Sequence, residues 1–150
     1  MITLKEADFT PLDEFALCWR FTDPRRNPLP LDALRHIRPL TSSRADQVAL
    51  ATRAQCSEEQ RFGVIFRSDD RPDVVQARLR GLPPLPSDEI LVSWNPEAAL
   101  ACTWDVFVGY WDDFCYPSSD DVTVWPLHER WSLCYRHYEI FQFSSSLQAV

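Results

Sequence analysis

Glycine is nearly missing from this chain, at three residues in 150 against twelve prolines. Glycine-rich loops that cradle phosphate are therefore close to excluded, and the chain must turn mainly on proline and Asp/Ser sequences. Histidine is equally scarce: His36, His128 and His137 stand alone, with no H-x-x-x-H or H-E-x-x-H arrangement, so no metal-ligand set is expected. The five cysteines (Cys18, Cys56, Cys102, Cys115, Cys134) include no C-x-x-C pair, and most sit among apolar residues as small buried hydrophobes do. No apolar run approaches the length of a bilayer span. The N-terminal M-I-T-L-K-E-A-D-F lacks the apolar stretch of a signal peptide. Together these absences place the protein in a reducing cytoplasm, away from membranes. No G-x-S-x-G elbow and no Cys–His pair with a recognisable context is present, so no catalytic residue and no cofactor is expected. Positive charge is also short: 15 Lys and Arg against 22 Asp and Glu give a net charge of −7. That sign repels phosphate backbones, and the arginine groups (Arg20, Arg25, Arg26; Arg35, Arg38; Arg78, Arg80) are interrupted by acids or apolar residues. Nucleic acid is thus a poor partner, and steering of a basic protein fits the charge better.

What the chain does have is apolar and aromatic mass, 45% and 13% of residues, enough for one folded domain spanning residues 1–150. The stretch Thr103 to Phe143 is the densest, holding four of the six tryptophans (Trp104, Trp111, Trp125, Trp131). Trp104, Phe107, Val108, Trp111, Phe114 and Cys115 fall on one face of a helix, capped by Thr103, favoured by Asp105 in its first turn and stopped by Pro117. The period then drops to two through Val122, Val124, Trp131, Leu133, Tyr135 and Ile140–Phe143, which predicts strands. Upstream, Glu89–Trp94 and Ala98–Cys102 read as strands joined by an Asn95-Pro96-Glu97 turn, and Arg61–Phe66 as another strand. A helix starts at Thr41 or Ser42, with a narrow stripe of Ala45, Val48 and Ala49 that Thr52 interrupts and Cys56 resumes, the pattern of a peripheral helix. A second helix runs over Arg71–Leu82, with Pro72 in its first turn and Val75, Leu79 and Leu82 on its apolar face. Leu31–Ile37 gives two helical turns. Phe15, Leu17, Trp19 and Phe21 alternate as in a short strand, although Asp13–Cys18 also suits a helical turn. The last seven residues are expected to fray. The fold class that follows is α+β: a mainly antiparallel sheet with helices on one face and a helical, loop-rich N-terminal half.

Two acid pairs, Asp112-Asp113 and Asp120-Asp121, flank F-C-Y-P-S-S. Such pairs can hold a divalent cation or do acid–base work, but the segment lacks the alternating oxygen ligands and the glycine of an EF-hand. Read structurally, Asp112 and Asp113 sit at a helix end, where the dipole disfavours them, while Ser118, Ser119 and Asp120 are good turn residues. Cys115 is read as packed rather than reactive, because acidic neighbours suppress its thiolate. Aromatics beside exposed carboxylates would make a hot-spot surface for a basic protein.

The run W-D-V-F-V-G-Y-W-D-D-F-C-Y-P-S-S-D-D-V-T-V-W-P, followed by the W-x-L-x-Y-x-H-x-E-x-F-x-F hairpin, resembles a small bacterial domain family akin to the immunity proteins of polymorphic, contact-delivered toxin systems. The resemblance covers about residues 88–143, with W-R-F and I-R-P-L as looser matches upstream. It carries no active site. It implies an acidic cytoplasmic antitoxin that binds one cognate toxin and blocks its active site. The partner-binding residues expected on this reading are Asp112, Asp113, Tyr116, Asp120, Asp121, Trp125 and Glu129. Two other classes compete with it: a small metal-dependent or hydrolytic enzyme using Asp112, Asp113, Asp120 and Asp121, and a scaffold domain that self-associates through its aromatic surface.

Overall fold

The computed structural model describes residues 2–58, 63–128 and 131–145, the stretch 52–58 by its backbone alone. The helices are α1 (Trp19–Thr22), α2 (Leu31–Leu34), α3 (Ser42–Glu58), α4 (Pro72–Arg80), α5 (Trp104–Gly109) and α6 (Trp111–Phe114). The strands are β1 (Arg38–Pro39), β2 (Gly63–Arg67), β3 (Glu89–Asn95), β4 (Ala98–Thr103), β5 (Val122–Pro126), β6 (Trp131–Arg136) and β7 (Ile140–Ser145). Among the described residues the strands form one seven-stranded sheet, ordered β1-β4-β3-β5-β6-β7-β2, with every pairing antiparallel. The protein is therefore α+β. No described helix is long and apolar enough to cross a membrane.

Residue parity along the strands assigns the two faces of the sheet. Ile90, Val92, Leu100, Val122, Val124, Leu133, Phe141 and Phe143 point to one face, under α4, α5, α6 and the N-terminal turns. Leu91, Ala99, Ala101, Trp125 and Leu127 point to the other, where Ala45 and Val48 of α3 meet them. Most of the described helical mass thus lies on one face, while α3 and the N-terminal segment cover part of the second. The small residues Ala45, Val48 and Ala49 let the first half of α3 sit close to the sheet. Thr41 caps it, the hydroxyl accepting from the Arg44 N–H at 3.3 Å. The Thr52 and Cys56 side chains lie outside the described residues.

The β3–β4 hairpin turns at Asn95, whose side-chain oxygen accepts from the Glu97 N–H at 2.8 Å. Helix α4 matches its expected apolar face, with Val75 and Leu79 fully buried.

Three expectations change. The alternating Phe15–Phe21 segment is not a strand: Cys18 N–H bonds to Phe15 O and Phe21 N–H to Cys18 O, both at 3.0 Å, and the chain coils tightly into α1. Its buried set is Phe15, Arg20 and Phe21, while Trp19 faces outward. The single helix expected from Trp104 is broken at Tyr110 (φ −130°, ψ 33°) into α5 and α6. Gly109 weakens helix propensity there, and the Gln76 side chain of α4 donates to the freed Val108 and Gly109 carbonyls, both at 3.2 Å. At the C-terminus, Ser144 and Ser145 do not fray. They pair with Ser132 and Trp131 in the sheet, and Ser144 pairs also with Gly63; residues 146–150 lie outside the described set.

Candidate functional site

The segment from Trp111 to Asp121 joins the aromatic face of the sheet to solvent. Trp111 anchors it, its indole N–H donating to Pro72 O at 3.1 Å and its ring meeting Phe141 edge-on at 5.8 Å. Phe114 is fully buried against Phe21 and Phe107, with ring centroids at 4.9 and 5.3 Å. The Phe114 carbonyl takes the Trp94 indole N–H at 2.8 Å. These contacts fix the backbone on which the acidic residues ride.

Asp120 is the centre of the segment and is turned inward. Only 8% exposed, it meets Arg20 in a two-pronged pair: Nη1 to Oδ2 at 2.7 Å and Nη2 to Oδ1 at 3.1 Å. Its Oδ2 also accepts from the Tyr116 N–H at 2.8 Å. Arg20 in turn lies 4.0 Å from the Tyr116 ring centre and donates from Nη1 to Phe114 O at 3.4 Å. Its Nε is buried without a partner. A planar guanidinium suits this place because its fork matches the carboxylate while its face stacks on an aromatic ring. The pair ties α1 to a loop 100 residues further on. We read it as a clamp on the 115–121 loop.

The loop's far side is tied to the β6–β7 turn. Ser118, in the left-handed region at φ 71°, donates its N–H to His137 O at 2.8 Å. The exposed Asp121 accepts from the His137 N–H at 3.0 Å, and its carboxylate stands 3.1 Å from His137 Nδ1. Burial opposes its charge, but the His137 contacts outweigh that and hold its carboxyl below the usual range.

Asp112 and Asp113 lie in the first turn of α6, not at the end of a long helix as the sequence implied. Asp112 is exposed. Asp113 is partly buried, and its pKa is pushed up to about 6 by that burial and by Asp112, with Arg20 pulling the other way. Tyr116 is half-buried, its ring edge-on to the exposed Trp19 at 5.9 Å. Burial, with Asp120 nearby, raises the Cys115 thiol far above its ordinary value, so it is a packing residue.

Of the seven expected contact residues, the structure brings Asp112, Asp113, Tyr116 and Asp121 to the surface of one segment. Asp120 is spent on Arg20 and on its own backbone, so it cannot reach a partner or ligate an ion. Trp125 is 6% exposed and points into the layer under α3, on the opposite face of the sheet. Glu129 lies outside the described residues. Trp19, beside Tyr116, was missed as a surface aromatic because strand parity suggested burial. Arg20 was legible only as one charge inside the apolar W-R-F run. Among the described residues no group of three or more His, Cys, Asp or Glu side chains could hold a metal ion.

The segment thus presents an acidic surface, with Tyr116 and the neighbouring Trp19 beside it. Compared with known proteins, the chain matches no family model, no curated protein and no solved structure.

Proposed function

We propose that this chain is a non-catalytic cytoplasmic binding protein of the immunity type, which docks on a basic protein toxin and covers its active site. The observation that carries the reading is the clamped loop. Because Arg20–Asp120 and the His137 contacts fix it, the backbone that carries Tyr116 and Asp121 is offered at a reduced ordering cost on binding, beside Asp112 and Asp113 on α6 and Trp19 on α1. A net charge of −7 would speed encounter with a basic surface, and the two aromatics would hold the complex once formed. The resemblance of residues 88–143 to immunity proteins points the same way.

The test is a search of the neighbouring open reading frame for a basic toxin domain, followed by calorimetry against that domain. Asp112→Lys with Asp121→Lys should weaken binding by roughly a hundred-fold, about 2.7 kcal/mol, while the unbound protein, which gives up only the exposed Asp121–His137 contact, stays folded by circular dichroism. Unchanged affinity in a folded double variant removes the acidic segment from the interface.

Self-association is a second reading, favoured by β2. This strand pairs only with β7 among the described residues, and Val64 and Ile65 on it are 51% and 66% exposed. An apolar sheet edge of that kind is a place for another strand to add. Light scattering across a concentration series decides it: a concentration-independent monomer mass rules it out.

A further inference from the structure

We propose that the cleft between the N-terminal segment and the end of the sheet binds a small amphipathic anion, an apolar molecule carrying one carboxylate. The cleft encloses about 310 Å³, at the lower end of the roughly 300–1,000 Å³ typical of small-ligand sites. Its base is apolar. Leu4 and Phe9, which are only partly buried, pack there beside Ala101 and Leu127 of the second core layer. Hydrocarbon in the cleft would cover surface that is now wet.

Its rim has the opposite charge balance from the chain as a whole. Arg35, Arg38, His36 and His128 stand there against the single acid Glu89, in a protein of net charge −7. A concave site whose lining carries more positive than negative side chains attracts a counter-charged ligand. Arg38 is held in place, its guanidinium 3.7 Å from the Phe9 ring centre. It gives one N–H to Glu6 at 2.9 Å, and Arg35 lies 3.6 Å from Asp32. Both carboxylates are at least 90% exposed. Exposed pairs of that kind hold weakly, and a guanidinium has five N–H donors, so both arginines keep donors for an incoming anion. The imidazoles of His36 and His128 add further N–H groups. Glu89 on the same rim favours a ligand with a single negative charge over a phosphate ester.

The test is an NMR titration of the full chain with octanoate, run beside 1-octanol and inorganic phosphate. Octanoate should give saturable shifts at the amides of Leu4, Ala101, Cys102 and Leu127, binding roughly ten-fold tighter than either control. Arg35→Glu with Arg38→Glu should abolish the shifts, and the milder Arg38→Gln should weaken binding several-fold if the double variant misfolds. Three results overturn the proposal: no saturable shift at these amides, equal binding of 1-octanol (an apolar cleft only), or equal binding of phosphate (an adventitious ion only). None of them bears on the acidic face, which shares no residue with the cleft.

Discussion

The two faces of the sheet are built on different terms. On one, Phe107, Phe114, Phe141 and Tyr135 are fully buried and interlock with Trp104, Trp111 and Trp131 under five helices and an arginine. On the other, the described part of α3 buries Ala45, Val48 and Ala49 over a layer that holds Leu91, Leu127 and Trp125. The aromatic face is interlocked: Phe141 meets Phe66, Trp111 and Tyr135, and Phe114 meets Phe21, Trp94 and Phe107, which holds the backbone above them. That is the face which fixes the acidic segment. The small-residue face ends in a cleft instead, because α3 and the N-terminal segment do not cover all of it. The fixed acidic segment and the open cleft thus lie on opposite sides of one sheet.

The sharpest way to break the contrast is to cut the clamp. Arg20→Ala leaves Asp120 buried without a counter-charge, which should cost about 3–5 kcal/mol in urea denaturation. Replacing both partners, Arg20→Met with Asp120→Leu, should restore most of the loss. A cost below about 1 kcal/mol for Arg20→Ala would mean the pair behaves as an exposed one. Next come the faces themselves. Phe114→Ala should cost about 3–5 kcal/mol and Val48→Ala about 2 kcal/mol, since the latter removes far less buried hydrocarbon. Equal costs would erase the distinction.

Asp113 offers a smaller, pH-dependent effect of the opposite sign. Its folded pKa of about 6 lies above the ordinary 3.8, so the folded state binds its proton more readily than the unfolded chain does. Stability from this group is therefore highest below pH 3.8 and is lost as pH rises through 6. Asp113→Asn should stabilise the protein at pH 7 by about 1 kcal/mol after allowing for solvent screening, and not at all at pH 3.5. Thermal melts at both pH values check it. The smallest effect is at the helix break. No atom lies within 4 Å of a side chain added at Gly109, so Gly109→Ala should be neutral or stabilise by about 0.5 kcal/mol. Gln76→Ala should cost about 1 kcal/mol by freeing two carbonyls.

Local pattern made much of this fold readable. Alternation in β5, β6 and β7 sorts residues between the two faces of the sheet, although Trp125, Ser132 and Cys134 on the second face are buried as well, and the 3.6-residue stripe of α4 encodes its own environment. Parity even places Trp125 opposite Val122 and Val124, and its assignment to the acidic surface ran against that signal. What stayed hidden depends on distant partners. Nothing near Tyr110 announces that Gln76, more than thirty residues earlier, will satisfy the carbonyls of a broken helix. Likewise no local feature of Ser-Ser-Asp-Asp distinguishes Asp120, which turns inward, from Asp121, which does not. Only the pairing with Arg20 decides it. Three-residue spacing of Phe15, Cys18 and Phe21 competes with the two-residue spacing of Phe15, Leu17, Trp19 and Phe21, and backbone bonding chooses the first.

Native-state hydrogen exchange at the Tyr116 amide tests the clamped loop most directly, because that N–H is bonded to the Asp120 carboxylate inside the ion pair. The account predicts protection comparable to the central amides of β6, lost by orders of magnitude in Arg20→Met. Exchange at the free-peptide rate in the unaltered protein would contradict it, and the acidic segment would lose its rigid support.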